Sequence, residues 1–290
     1  MKISIEERSG FCFGVKRAIE MAEEILDKGE IVYCLGEIVH NEIEVKRLTD
    51  KGLIFIEHSD LENLRDKKVL IRAHGEPPKT YQLAEINNLT IIDGTCPIVL
   101  ALQKKVKNSY LSMNKEKGQI LIYGKIGHPE VTGLLGQTGD DAWVVRNHQE
   151  LSSIPKGKDL YLFSQTTMDT RGFEEMDKYL RELKQSGKVN NLEVNNTICK
   201  HISHREPGLR RFALTNDVII FISGITSSNG RILYEICKSE NPETYFISDP
   251  DELKPGWFKE ASSVGISGAT STPRWLLEQV ADTIKDFTKT

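Results

Sequence analysis

Long hydrophobic runs are missing from this chain. The longest, such as VIIFI at 218–222, fall far short of the roughly 20 residues that cross a bilayer, so no membrane segment is expected. The N-terminal MKISIEERSG lacks the basic segment and apolar stretch of a secretory leader. Cysteine is scarce. There are five, an odd number, and no two form a CxxC pair, which argues against a disulfide framework, a zinc finger and a thioredoxin-like motif. The expected setting is a reducing, cytoplasmic compartment. Positive charge is not in excess either. Lys and Arg number 38 against 42 Asp and Glu, for a net charge of −4, which offers no general attraction for nucleic acid. No lysine-bearing Walker loop is present.

Against those absences stands the composition of an ordinary globular chain, with 39% hydrophobic and 28% charged residues over 290 positions. That length can bury a large core in one domain or several. Apolar runs alternate with helical patterns, the signature of parallel α/β layers. The runs are ISI at 3, IVYCLG at 31, VLI at 69, LTII at 89, ILIYG at 120, LYLF at 160, VIIFIS at 218 and SVGIS at 263. The segments that follow them are SGFCFG, EIVHNE, RAHGEPP, DGTCP, KIGHPE, SQTT, GITSSNG and GATSTP. In an open parallel sheet those segments lie at the carboxyl edge, where ligands bind. The polar residues of the chain are therefore expected to converge on one cleft.

Cys12, Cys96 and Cys199 sit in three such segments, 84 and 103 residues apart. Gly10 and Gly14 flank Cys12, and the pattern of Val15, Ile19, Ala22 and Ile25 or Leu26 predicts a helix just after it. Pro97 holds Cys96 extended and suits a first helical position. Asn195, Asn196 and Thr197 supply turn or cap chemistry before Cys199. A helix N-terminus favours a thiolate by roughly 0.3–1 kcal/mol when exposed. One thiolate from each third of the chain suits three units closing on one metal centre. A 4Fe-4S cube held by three cysteines keeps one open iron, which fits reductive or eliminative chemistry at a substrate hydroxyl. Cys34 and Cys237 lie on apolar stripes and read as packing. The basic clusters KKVK at 104–107 and Arg205, Arg210 and Arg211 read as solvated helix faces, one of which could dock an acidic redox partner.

His40, His74 and His128 share the strand-end loops with Ser227, Ser228, Asn229 and Ser271. Imidazoles, hydroxyls and amides beside helix N-termini make an anion site. Pro129 is expected to hold His128 extended, so that His128 and Glu130 project to one side. A carboxyl there, with its pKa raised by burial and a bound anion, is a candidate proton donor.

Taken together, GFCFGVKRAIE at 10, VHN at 39, AHG at 73, TCP at 95, GHPEV at 127, QTT at 165, TICK at 197, SSN at 227 and S-x-P at 271 closely resemble the 4-hydroxy-3-methylbut-2-enyl diphosphate reductases, terminal enzymes of the non-mevalonate isoprenoid pathway. The resemblance implies three pseudo-equivalent parallel-sheet α/β domains around a central iron–sulfur cluster. The expected division is 13–96, 97–197 and 198–290, with 1–12 joining the last. It implies that Cys12, Cys96 and Cys199 hold a 4Fe-4S cluster with one open iron site. It further implies that His40, His74, His128, Ser227, Ser228, Asn229 and Ser271 hold a diphosphate, that Glu130 feeds protons, and that Thr166 orients the substrate alcohol, with Thr167 beside it. Ferredoxin or flavodoxin is the implied electron donor. The pattern departs from the family's at Ile225, Thr226 and His204. Two other classes remain open at this point. A quinolinate-synthase-like enzyme would dehydrate without net reduction, and a non-catalytic redox sensor would hold the cluster alone.

Overall fold

The computed structural model describes residues 1–287. In chain order the elements begin with β1 (Lys2–Ile5), α1 (Phe13–Leu26), β2 (Val32–Leu35), α2 (Glu42–Asp50), β3 (Leu53–Ile56), α3 (His58–Leu61), β4 (Lys68–Ile71), α4 (Pro78–Ile86) and β5 (Thr90–Asp93). There follow α5 (Pro97–Ser112), β6 (Gly118–Tyr123), α6 (Pro129–Gly136), β7 (Trp143–Val145), β8 (Lys158–Ser164), α7 (Thr170–Gln185) and β9 (Val189–Val194). The rest is α8 (Lys200–Ser203), α9 (Glu206–Leu214), β10 (Val218–Ile222), α10 (Ser228–Glu240), β11 (Thr244–Ile247), β12 (Ser263–Gly268) and α11 (Arg274–Phe287). The strands form three four-stranded parallel sheets, with orders β1-β12-β10-β11, β3-β2-β4-β5 and β7-β6-β8-β9. By contact density the chain divides into two compact units, one of residues 1–55 with 204 onward, the other Ile56–Ser203.

In the first unit, the central strand β10 is buried along its whole length, VIIFI. Its side chains alternate between two cores, as a strand covered on both faces requires. Val218, Ile220 and Ile222 pack with Val264, Ile266 and the α11 residues Leu276, Leu277 and Val280. Ile219 and Phe221 meet Leu209 and Ala213 of α9 and Leu233 and Cys237 of α10. The opening strand of the chain pairs beside one of its last, Ile5 opposite Ile266. The expected solvated face at Arg205 is corrected here. Arg205 is 2% exposed, and its guanidinium donates to Glu6 at 2.6 Å, to Ser267 Oγ at 3.0 Å and to the Gly268 carbonyl at 2.7 Å. A guanidinium can be buried at this depth only with such partners.

The second unit repeats the scheme. Leu121, Tyr123, Leu160 and Leu162 pack on Phe173, Met176 and Leu180 of α7. Ile120, Ile122 and Phe163 face Leu102 and Val106 of α5 and Val131 and Leu134 of α6. Four strands beyond the eight apolar runs are present, namely β3, β7, β9 and β11, and each is an edge strand of its sheet.

Close backbone approach fixes one loop of the first unit. A Cβ placed on Gly224 would lie 2.8 Å from the His40 carbonyl carbon and 2.9 Å from Asn41 Cα, closer than packing permits. Gly224→Ala is therefore expected to cost about 1–3 kcal/mol, the range for overpacking. Urea unfolding of the two proteins measures it, and an unchanged midpoint would refute the contact.

Candidate active site

In the first unit, Cys12 is the N-cap of α1, with extended backbone at φ −69° and ψ 162°. Its N–H reaches the Thr270 carbonyl at 3.3 Å, and its own carbonyl accepts the Lys16 N–H at 2.9 Å. Gly10, at φ +112°, makes the turn that delivers it. The thiol is half-buried. Ser227 caps α10 by accepting the Gly230 N–H at 3.1 Å, and its hydroxyl lies 3.3 Å from that of Ser271. Asn229 Nδ2 donates to Thr270 Oγ1 at 2.9 Å. Hydroxyls and an amide are thus gathered over the first turn of a 13-residue helix, where unpaired amides favour an anion. The Gly224 contact brings the His40 backbone against this segment. His40 Nδ1 lies 3.7 Å from Glu37 Oε2. The side chain of Ser228, also expected in this group, lies outside the described residues.

In the second unit, Cys96 is the N-cap of α5 with Pro97 at its first position, and its N–H donates to the Ala73 carbonyl at 3.0 Å. Cys199 precedes α8, its N–H held by the Thr166 carbonyl at 2.9 Å. Burial raises the Cys199 thiol above its ordinary pKa. The amides of His201 and Ile202 act the other way, and the thiol of Cys96 and the carboxyl of Glu130 add to the rise. Two cysteines and the expected acid are therefore close enough to sense one another. Glu130 is 1% exposed. The Thr166 N–H donates to its Oε1 at 2.6 Å and the Thr166 hydroxyl to its Oε2 at 2.7 Å. Burial pushes the Glu130 carboxyl up to about 7, against the lowering effect of those two bonds. The His74 and His128 rings meet edge to face, 5.2 Å between centroids.

One detail of the expected arrangement is corrected. His128 is extended, but Pro129 starts α6, so Glu130 lies in a helical first turn rather than two residues along a strand. His128 Nδ1 accepts the Glu130 N–H at 3.2 Å. Two participants were absent from the expected set. Gln165 accepts the Lys125 N–H at 3.0 Å and donates to Thr167 Oγ1 at 2.7 Å, joining the loops after β6 and β8. Thr270 receives Asn229 and Cys12. Gln165 opens the QTT motif and Thr270 adjoins the S-x-P motif, which are the signals that mark them. Ile225, where the pattern departs, is exposed. Cys34 and Cys237 are fully buried, as their apolar stripes implied.

A family model described as LytB protein matches residues 3–285. The chain belongs to the LytB family. Curated relatives in that family include the 4-hydroxy-3-methylbut-2-enyl diphosphate reductases of Bacteroides thetaiotaomicron, 48% identical over 98% of each chain, and of Chlorobaculum parvum, 45% identical over 98% of this chain and 96% of the relative. Two solved structures are similar throughout. One is of (E)-4-hydroxy-3-methyl-but-2-enyl diphosphate reductase, with TM-score 0.74, 36% identity, and 98% and 99% of the two chains covered. The other is the E-1-hydroxy-2-methyl-but-2-enyl-4-diphosphate reductase from Plasmodium falciparum, with TM-score 0.82, 26% identity, and 97% and 87% covered. Among the described residues no helix is long and apolar enough to cross a membrane.

This LytB family member anchors its His74 loop with an ion pair. Glu76 takes His58 Nε2 at 2.6 Å and the Thr80 hydroxyl at 3.2 Å. The hydrogen bond to Glu76 raises the His58 pKa above 6.5 despite partial burial. The pair's stabilisation is therefore complete below pH 6.5 and is lost as the pH climbs through the raised value. Urea unfolding of the native chain and His58→Gln should show a stability gap below pH 6.5 that narrows as the pH rises through the raised His58 value. A gap that widens with pH would refute it.

Proposed function

We infer that this chain is a 4-hydroxy-3-methylbut-2-enyl diphosphate reductase, an oxidoreductase of the non-mevalonate isoprenoid pathway. The substrate takes up two electrons and two protons, its hydroxyl departs as water, and isopentenyl and dimethylallyl diphosphates form. The observation that carries the reading is the Glu130–Thr166 pair, a buried carboxyl near neutrality in the unit that also presents Cys96 and Cys199.

The donor set suits an iron–sulfur cluster. Cys12, Cys96 and Cys199 are half-buried at helix starts and in no disulfide, whereas Cys34 and Cys237 are sealed in the core. Those three would hold it, and a three-cysteine 4Fe-4S cluster supplies electrons and one Lewis-acidic iron. The three-domain division at 13–96, 97–197 and 198–290 with 1–12 goes with this reading. His40, Ser227, Ser228, Asn229 and Ser271 would take the diphosphate with His74 and His128, through hydroxyl, amide and imidazole donors and the first turn of α10. Thr166 would orient the substrate alcohol, with Thr167 held beside it by Gln165. Glu130, protonated near pH 7, would give its proton to the departing hydroxyl through the Thr166 hydroxyl. Burial keeps that proton from water until it is needed. Ferredoxin or flavodoxin in the cytoplasm would deliver the electrons.

Glu130→Gln should keep protein-bound iron and substrate affinity while turnover falls about 10²–10⁴-fold, the usual worth of a positioned acid. Turnover is read as oxidation of reduced methyl viologen, and full activity would overturn the assignment. Substrate loss without viologen oxidation would favour a dehydrating enzyme. Cys34→Ala and Cys237→Ala should retain the native iron content per chain, and Cys12→Ala, Cys96→Ala and Cys199→Ala should lose it. Iron analysis with absorption spectra decides between the sets.

A further inference from the structure

Helix α5 runs outward from Cys96 and differs from the other helices in its charge. It is the one helix of eight or more residues without an acidic side chain among the described residues. Its exposed side carries Lys104, Lys105 and Lys107, none of which has an ion pair among the described residues. On several other segments a surface cation is matched one turn away, as in Lys46–Asp50, Arg146–Glu150, Arg171–Glu175 and Arg274–Glu278. Towards the far end of α5, Tyr110 meets the carboxylate of Asp141.

Lys104 and Lys107 are i and i+3, a like-charge spacing that costs the helix a few tenths of a kcal/mol. Aliphatic side chains stand exposed among them. Leu100, Lys104, Lys107 and Leu111 follow spacings of four, three and four and so share one stripe. Ile98, Leu100 and Leu111 are 40%, 42% and 66% exposed. At 1.5 Å per residue, Leu100 lies only about 6 Å along the axis from Cys96. An apolar patch rimmed by unpaired cations is the composition of a protein interface rather than of a solvated face. On a chain of net charge −4, the local excess of positive charge selects an acidic partner.

We propose that the outer face of α5, from Ile98 to Leu111, is the docking surface for an acidic single-electron carrier protein. Docking there brings the carrier beside Cys96, the cluster-holding thiol of the reductase reading on which this proposal rests. Lysines would steer the approach and the aliphatic side chains would hold the encounter.

The test uses the cluster-loaded full chain and an acidic ferredoxin. Calorimetry should show binding that weakens as salt rises. Lys104→Glu, Lys105→Glu and Lys107→Glu combined should raise the dissociation constant at low salt by about tenfold or more and abolish that salt dependence. Ferredoxin-driven turnover at subsaturating donor should fall by a similar factor, and methyl viologen-driven turnover should match the native enzyme. Reversing Lys178, Arg181 and Lys184 on α7 applies the same charge change away from α5 and should leave ferredoxin affinity intact. Native-like ferredoxin affinity in the α5 variant, or an equal loss in the α7 variant, would overturn the proposal. Absence of viologen-driven turnover in the native chain would instead overturn the reductase reading, while the calorimetry still decides the docking face.

Discussion

A helix cannot satisfy its own first amides, and the parallel sheets of this chain point those amides at the carboxyl edges of their strands. Several of the candidate site residues answer that constraint. Cys12, Asn41, Cys96, His128 and Ser227 are N-cap residues of α1, α2, α5, α6 and α10. The cap position is extended, lies at the sheet edge, and offers its side chain to whatever lies beyond. The same geometry that ends a strand and starts a helix therefore sets out thiols, an imidazole and hydroxyls.

Glu130 shows the opposite use of burial. It sits in the first turn of α6, where a carboxylate would ordinarily be favoured. No ion pair to a cation is recorded for it among the described residues. Its bonds are to an amide and a hydroxyl, and desolvation outweighs them. Thr166 thus holds the acid in place without ionising it, while its carbonyl holds the Cys199 amide. One residue couples the orientation of a buried carboxyl to that of a thiol.

Much of this was legible from residue order. Six of the eight apolar runs are central strands, which, covered on both faces like β6 and β10, must be apolar throughout, while β1 and β5 are edges. The four strands outside those runs are edges, and β9 for instance carries exposed asparagines and a glutamate. An edge strand need not carry a continuous apolar run, and β9 does not, although β3, LIFI, is apolar throughout. The relation of His128 to Glu130 was misread because a proline holds its predecessor extended and starts a helix at once, so the pair straddles a change of period. Arg205 was misread because its partners, Glu6 and the end of β12, are remote in sequence. Charge alone does not announce burial. Gln165 and Thr270 each hold two partners, Lys125 and Thr167 for the one, Asn229 and Cys12 for the other, a joining of loops that residue order does not encode.

The pairing of β1 with β12 has a consequence in time. Ile5 lies opposite Ile266, and the Cys12 amide is held by Thr270, so Cys12 waits for β12. At about 5–20 residues per second, the interval is on the order of tens of seconds. During it the opening strand has no neighbour in its sheet and the Cys12 turn has no anchor. Cys96 and Cys199, with Glu130 and Thr166, belong to a unit whose sequence is finished earlier. The Cys12 turn therefore gains its anchor against the order of synthesis, only after β12 has been made.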